Sequence, residues 1–154
     1  MKHSQTRLAV AACLAPVLGC VVTAVALGFW FLTAAPEYEH RPSLASTFGF
    51  AAYGGLIAGL VLGWPTMIVA GLPTHAALWR RARTTPLPYA IAGALVGLLP
   101  AAVLEMLMVG ARAEPQHWAF ALALGAATGV VCALLFWLIR RPDRAAANPL
   151  TPAP

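Results

Sequence analysis

Four long apolar blocks, almost free of charge, divide this chain and leave it few ways to fold. They run from about Leu8 to Ala34, Phe48 to Leu72, Leu87 to Gly110 and Trp118 to Ile139, and only the third contains an acid or base, Glu105. At about 1.5 Å per residue, each block is long enough to cross roughly 30 Å of hydrocarbon as an α-helix. A bilayer tolerates only helices and closed barrels, because every backbone polar group must bond internally. The alternating strands of about ten residues that build a barrel are absent. The chain is therefore expected to be an all-α, polytopic membrane protein: one four-transmembrane-helix bundle over residues 1–141, followed by a disordered tail over 142–154.

Composition agrees with that expectation. The chain is 60% apolar and 10% charged, with a mean hydropathy of +0.77, whereas soluble domains carry roughly 25% charged residues. A net charge of +5 raises the question of nucleic acid. The bases instead sit in short clusters beside the apolar blocks, the pattern that writes membrane topology, so no nucleic-acid partner is expected. Lys2, Arg7, Arg80, Arg81, Arg83, Arg140, Arg141 and Arg144 all fall on one side of the four spans, while the other side has only Arg41 and Arg112, beside Glu37, Glu39 and Glu114. The positive-inside rule puts the first set, with both termini, in the cytoplasm. Trp30 and Trp118 mark the outer interface, Trp79 and Trp137 the inner one. Abundant Ala and an Arg-dominated basic set fit a bacterial cytoplasmic (inner) membrane.

Lipid is as apolar as leucine, so membrane helices associate by close approach at small residues. Every span has such a stripe: Ala11, Ala15 and Gly19; Gly55, Gly59 and Gly63; Gly93 and Gly97; Gly125 and Gly129. Pro16, Pro65 and Pro100 interrupt the spans and free the carbonyls of Ala12, Val61 and Val96, which must find other donors or water. Simple kinks are the expected outcome. Tyr53, Gly59, Gly63 and Pro65 are faintly echoed by Tyr89, Gly93, Gly97 and Pro100, a likeness attributed to chance.

Few residues carry chemistry. Glu105 lies inside a span, about 7–8 Å below the outer interface at 1.5 Å per residue, and is either a proton- or cation-binding acid or one half of a polar clasp. The clasp is the expected role, formed with Arg112 seven residues on and with Tyr53 and His117 at similar depth. A proton relay finds little inward of Glu105 besides Thr23 and Thr128. Glu37, Glu39, His40, Glu114 and His117 in the outer connections suit a divalent ion by residue type, but Glu114 and Pro115 suit a helix start better. No metal and no cofactor is expected. Cys13, Cys20 and Cys132 form no CxxC pair and are expected to pack as free apolar thiols. Val17-Leu18-Gly19-Cys20 resembles a lipoprotein cleavage box, but the apolar run continues far past it, against cleavage.

The connection between the second and third spans reads GLPTHAALWRR over residues 71–81, with Arg83 close behind. Arg80, Arg81 and Arg83 suit anionic lipid headgroups. This stretch resembles segments of uncharacterised small bacterial inner-membrane proteins, a resemblance that implies a membrane location and no activity. HExxH, CxxC and P-loop patterns are absent, and Ser43 and Ser46 have no base at motif spacing, so no enzyme is expected. The leading expectation is a non-catalytic accessory subunit that binds a membrane-protein partner or a second copy through its glycine stripes, above all Gly55, Gly59 and Gly63. The alternative is a small oligomeric transporter or channel using Glu105.

Overall fold

A computed structural model describes residues 2–34, 43–108 and 114–140, with side chains over 5–29, 43–107 and 114–140. Four helices account for nearly all of it: α1 (Lys2–Ala34), α2 (Leu44–Arg80), α3 (Pro86–Met108) and α4 (Pro115–Arg140). All four are long and apolar enough to cross a membrane. Their outward faces are apolar too: Phe50, Val69 and Leu107 are 82%, 74% and 77% exposed. Among the described residues the buried hydrophobic core is small, consisting of Ala11, Ala15, Tyr89 and Phe136 with a partly buried rim around them. A surface this apolar around so little core suits lipid as the solvent.

Local chemistry sets the helix ends. Ser43 caps α2: its hydroxyl accepts the Ser46 N–H at 3.1 Å, and its carbonyl accepts Thr47 N–H. Pro115 opens α4, where a missing N–H costs nothing. At the other end of α2 the chain leaves in a Schellman turn, in which Arg83 N–H reaches the Leu78 carbonyl and Ala82 N–H the Trp79 carbonyl, each at 3.0 Å. Ala82 holds the left-handed position of that turn, with φ 53°.

Two span boundaries differ from expectation. The second apolar block ends near Leu72, yet α2 continues through Pro73 to Arg80, so residues 72–80 are helix and not an inner loop. Likewise α1 begins at Lys2. Lipid sets only the minimum apolar length, and a helix may run on into water where neighbours support it. The expected disordered tail, 142–154, lies outside the described residues.

The continuity of α2 has a specific cause. Two wide turns, Gly59–Gly63 and Met67–Gly71, bond five residues back: Trp64 N–H donates to the Gly59 carbonyl and Leu72 N–H to the Met67 carbonyl. Each stands immediately before a proline pair, Trp64-Pro65 and Leu72-Pro73. A proline lacks an N–H and its ring collides with the carbonyl four residues back, and a turn wound with an extra residue moves that carbonyl aside. The two stretches are tandem octapeptides, GLVLGWPT (59–66) and MIVAGLPT (67–74). In a regular α-helix, residues eight apart are about 80° out of register. The wide turns absorb most of that drift, so both repeats present the same face.

The helices are arranged α2–α1–α4–α3. α3 packs most extensively on α4, α4 on α1, and α1 on α2. Although only residues 81–85 separate α2 from α3, the two meet chiefly where the C-terminal part of α2, residues 67–80, passes α3. Farther along, they stand apart and leave a space between them.

Candidate functional site

A cavity of about 480 Å³ fills that space, lined by all four helices. Glycine contacts fix its walls. On α3 and α4, a Cβ at Gly93 would strike the Gly129 carbonyl and one at Gly129 the Gly93 carbonyl; Gly97 and Gly125 stand in the same relation. On α2, a Cβ at Gly55 would lie 2.8 Å from Val21 Cα, at Gly59 2.7 Å from Val17 Cα, and at Gly63 2.9 Å from Pro16 Cβ. Such distances are too short for any side chain, so these glycines are where one backbone touches another. The stripe Gly55, Gly59 and Gly63 is thereby occupied by α1 of the same chain.

The kink region of α1 is held from both sides. The Trp64 indole N–H donates to the Cys13 carbonyl at 3.0 Å, and the Cys132 thiol approaches the Pro16 carbonyl at 3.8 Å. α2 and α4 thus both reach backbone carbonyls around Pro16, which is itself fully buried.

At the arginine-rich end the cavity has a floor. His75 from α2, Tyr89 from α3 and Phe136 from α4 meet there, with His75 Nδ1 2.6 Å from the Tyr89 hydroxyl. The imidazole stands edge-on to Phe136, centroids 5.0 Å apart, and Tyr89 stacks on Phe136 at 6.4 Å. Just beyond, the Arg140 guanidinium lies 5.6 Å from the centre of the Trp79 ring, within cation–π range. The Trp137 indole closes the α2–α3 connection by donating to the Thr84 carbonyl at 2.7 Å. None of His75, Tyr89 or Arg140 stood out as a site residue in the sequence. His75 falls in a stretch that the sequence marks as a connection, and Tyr89 lies 14 positions away with no motif joining them.

Glu105 lines the opposite end of the cavity, about 24 Å from Tyr89 along α3 at 1.5 Å per residue. Between the two ends the lining is mostly apolar, with Cys20, Thr23, Thr66, Thr74, Thr128 and Cys132 as its polar points. Thr23 and Thr128 donate their hydroxyls to carbonyls of their own helices, Gly19 at 2.9 Å and Leu124 at 2.8 Å, leaving lone pairs toward the cavity. Both threonines of the tandem octapeptides, Thr66 and Thr74, contribute to it. Those repeats are a signal in the sequence that points at the cavity.

Two of the residues expected around Glu105 lie elsewhere. Tyr53 is 64% exposed on the outside of α2, and His117 is exposed at the start of α4; neither lines the cavity with Glu105. Arg112 lies outside the described residues, as do Glu37, Glu39 and His40. Tyr53 and Tyr89, paired in the faint echo between spans, occupy opposite environments, one exposed and one buried. Arg80, Arg81 and Arg83 are exposed at the end of α2 and its turn. Among the described residues no group of three or more His, Cys, Asp or Glu is placed to hold a metal ion.

The comparisons add no relative. No family model matches the chain, and no curated protein or solved structure is significantly similar to it.

Proposed function

We propose that this protein binds a lipophilic cation in its central cavity, with Glu105 as counter-ion, and carries it across a bacterial cytoplasmic membrane. The observation that supports this is the cavity itself. Its volume of about 480 Å³ falls in the usual range for small-molecule sites, and its apolar lining ends in a single carboxylate. An apolar body is held by the walls, while a diffuse positive charge near Glu105 offsets the cost of an acid in the span. The arginine-rich end, by the positive-inside rule, faces the cytoplasm, where Arg80, Arg81 and Arg83 lie among anionic headgroups. In this state His75, Tyr89 and Phe136 close the cavity at that end.

This reading replaces the accessory subunit in first place, because the glycine stripe that subunit would offer is spent on α1. The test is binding of tetraphenylphosphonium and tetraphenylborate, ions of one shape and opposite charge, to detergent-purified protein. The cation is expected to bind and raise the melting temperature, the anion to do neither, and Glu105→Gln to remove the difference. Proteoliposomes should show flux of the cation that Glu105→Gln abolishes. Equal binding of both ions, or binding indifferent to Glu105→Gln, sinks the proposal.

A further inference from the structure

Cys20 on α1 and Cys132 on α4 both line the cavity, 112 positions apart in sequence and side by side in the fold. Gly19 brings them together. A Cβ at Gly19 would collide with Cys132 Sγ, so the sulfur of Cys132 occupies the groove over Gly19, the residue next to Cys20. The Cys132 thiol is steadied by the Pro16 carbonyl at 3.8 Å. Both cysteines are half-buried, and the third, Cys13, is exposed on the outside of α1.

We infer that Cys20 and Cys132 form a two-thiolate site for a soft divalent ion that favours linear coordination, Hg(II) being the type. Thiolates select soft ions. No cluster of three or more His, Cys, Asp or Glu exists among the described residues, so an ion that needs four protein ligands, such as Zn(II), is poorly served. Charge decides between the soft ions that remain. From mercuric chloride, two Hg–Cl bonds and two S–H bonds break and two S–Hg bonds form. Two chloride ions and two protons leave to water, no atom changes oxidation state, and the bound complex is neutral. A monovalent ion such as Ag(I) would leave the two-thiolate complex with a net negative charge. The cavity lining contains no Lys or Arg to offset it, and an unpaired charge in an apolar surround is strongly disfavoured. The cavity also supplies the entry path that a metal site requires. The site does not depend on Glu105 or on the binding of a lipophilic cation.

The test uses full-length protein, mercuric chloride and an excess of a monothiol, which strips ions held by one sulfur. Native mass spectrometry should show one mercury retained per chain with the loss of two protons. Subsequent alkylation and peptide mapping should find Cys13 modified and Cys20 and Cys132 protected. Silver nitrate under the same conditions should be stripped. Cys13→Ser should keep the retained mercury, and Cys20→Ser and Cys132→Ser should each lose it. The mapping of unaltered protein decides the matter even if a variant folds poorly. Loss of mercury to the monothiol, or equal alkylation of all three cysteines, overturns the site. Silver held as firmly as mercury overturns the charge argument. Neither result bears on tetraphenylphosphonium binding, so the two proposals fail separately.

Discussion

His75 Nδ1 and the Tyr89 hydroxyl, 2.6 Å apart, tie α2 to α3 at the end of the molecule where those helices approach each other. Elsewhere the two are separated by the cavity, so this hydrogen bond and the Phe136 ring beneath it bear much of their association. The Phe136 and Trp79 rings flank it, and removing one partner leaves the other group without this bond. Tyr89→Phe is expected to cost about 1–3 kcal/mol of stability through the unsatisfied imidazole nitrogen. His75→Phe should cost a similar amount, and the double variant less than the sum of the two. Thermal unfolding in detergent measures all three, and strict additivity would mean that the bond contributes nothing.

The glycines fall into two groups that the sequence does not distinguish. Gly97 and Gly129 lie where α3 and α4 touch backbone to backbone, while Gly54 has nothing within 4 Å of an added Cβ. Leucine at Gly97 or Gly129 should wedge the pair apart, at a cost of at least about 1–3 kcal/mol, and should lower expression or melting temperature sharply. Leucine at Gly54 should be close to neutral, because it meets only lipid. The paired melting temperatures check the assignment of faces, and a tolerant Gly97 would refute it.

Ala82 closes the α2 helix in the left-handed region, at φ 53°, where glycine is the usual occupant. A side chain there is crowded against the following carbonyl, at a cost of about 1 kcal/mol. Ala82→Gly is therefore expected to stabilise the protein by somewhat less than that, since glycine is freer in the unfolded chain. A rise in melting temperature with unchanged tetraphenylphosphonium binding is the outcome to look for; a fall would show that the turn is held differently.

The contrast between Glu105 and His75 shows how far a site can be read without coordinates. Glu105 is legible because a carboxylate inside an apolar run is conspicuous whatever surrounds it. The facing of Tyr53 and His117 is not: depth counted along separate helices brings them level with Glu105, but depth says nothing about which way each helix faces. His75 was missed for a different reason. Gly71, Leu72 and Pro73 look like a break, and the wide turns that let α2 pass two prolines are visible only as hydrogen bonds. The tandem octapeptides were present throughout, and their equal spacing of Gly, Pro and Thr is the pattern that could have joined residues 59–74 into one continuous helix. Cys20 and Cys132 are beyond such methods, because their meeting depends on the absence of a side chain at Gly19.

Local composition by itself determined that this chain has four segments able to cross a membrane, since transfer into lipid is a sum over neighbouring residues. It also set the asymmetry of charge between the two ends. Only the tertiary structure decided that α1 lies between α2 and α4, that α2 and α3 part to form a cavity, and that the Gly55–Gly59–Gly63 stripe is covered. In an apolar solvent every face of such a helix is equally content with lipid. The choice of neighbour then rests on steric fit between glycine surfaces and on a few hydrogen bonds, which exist only once the helices have met.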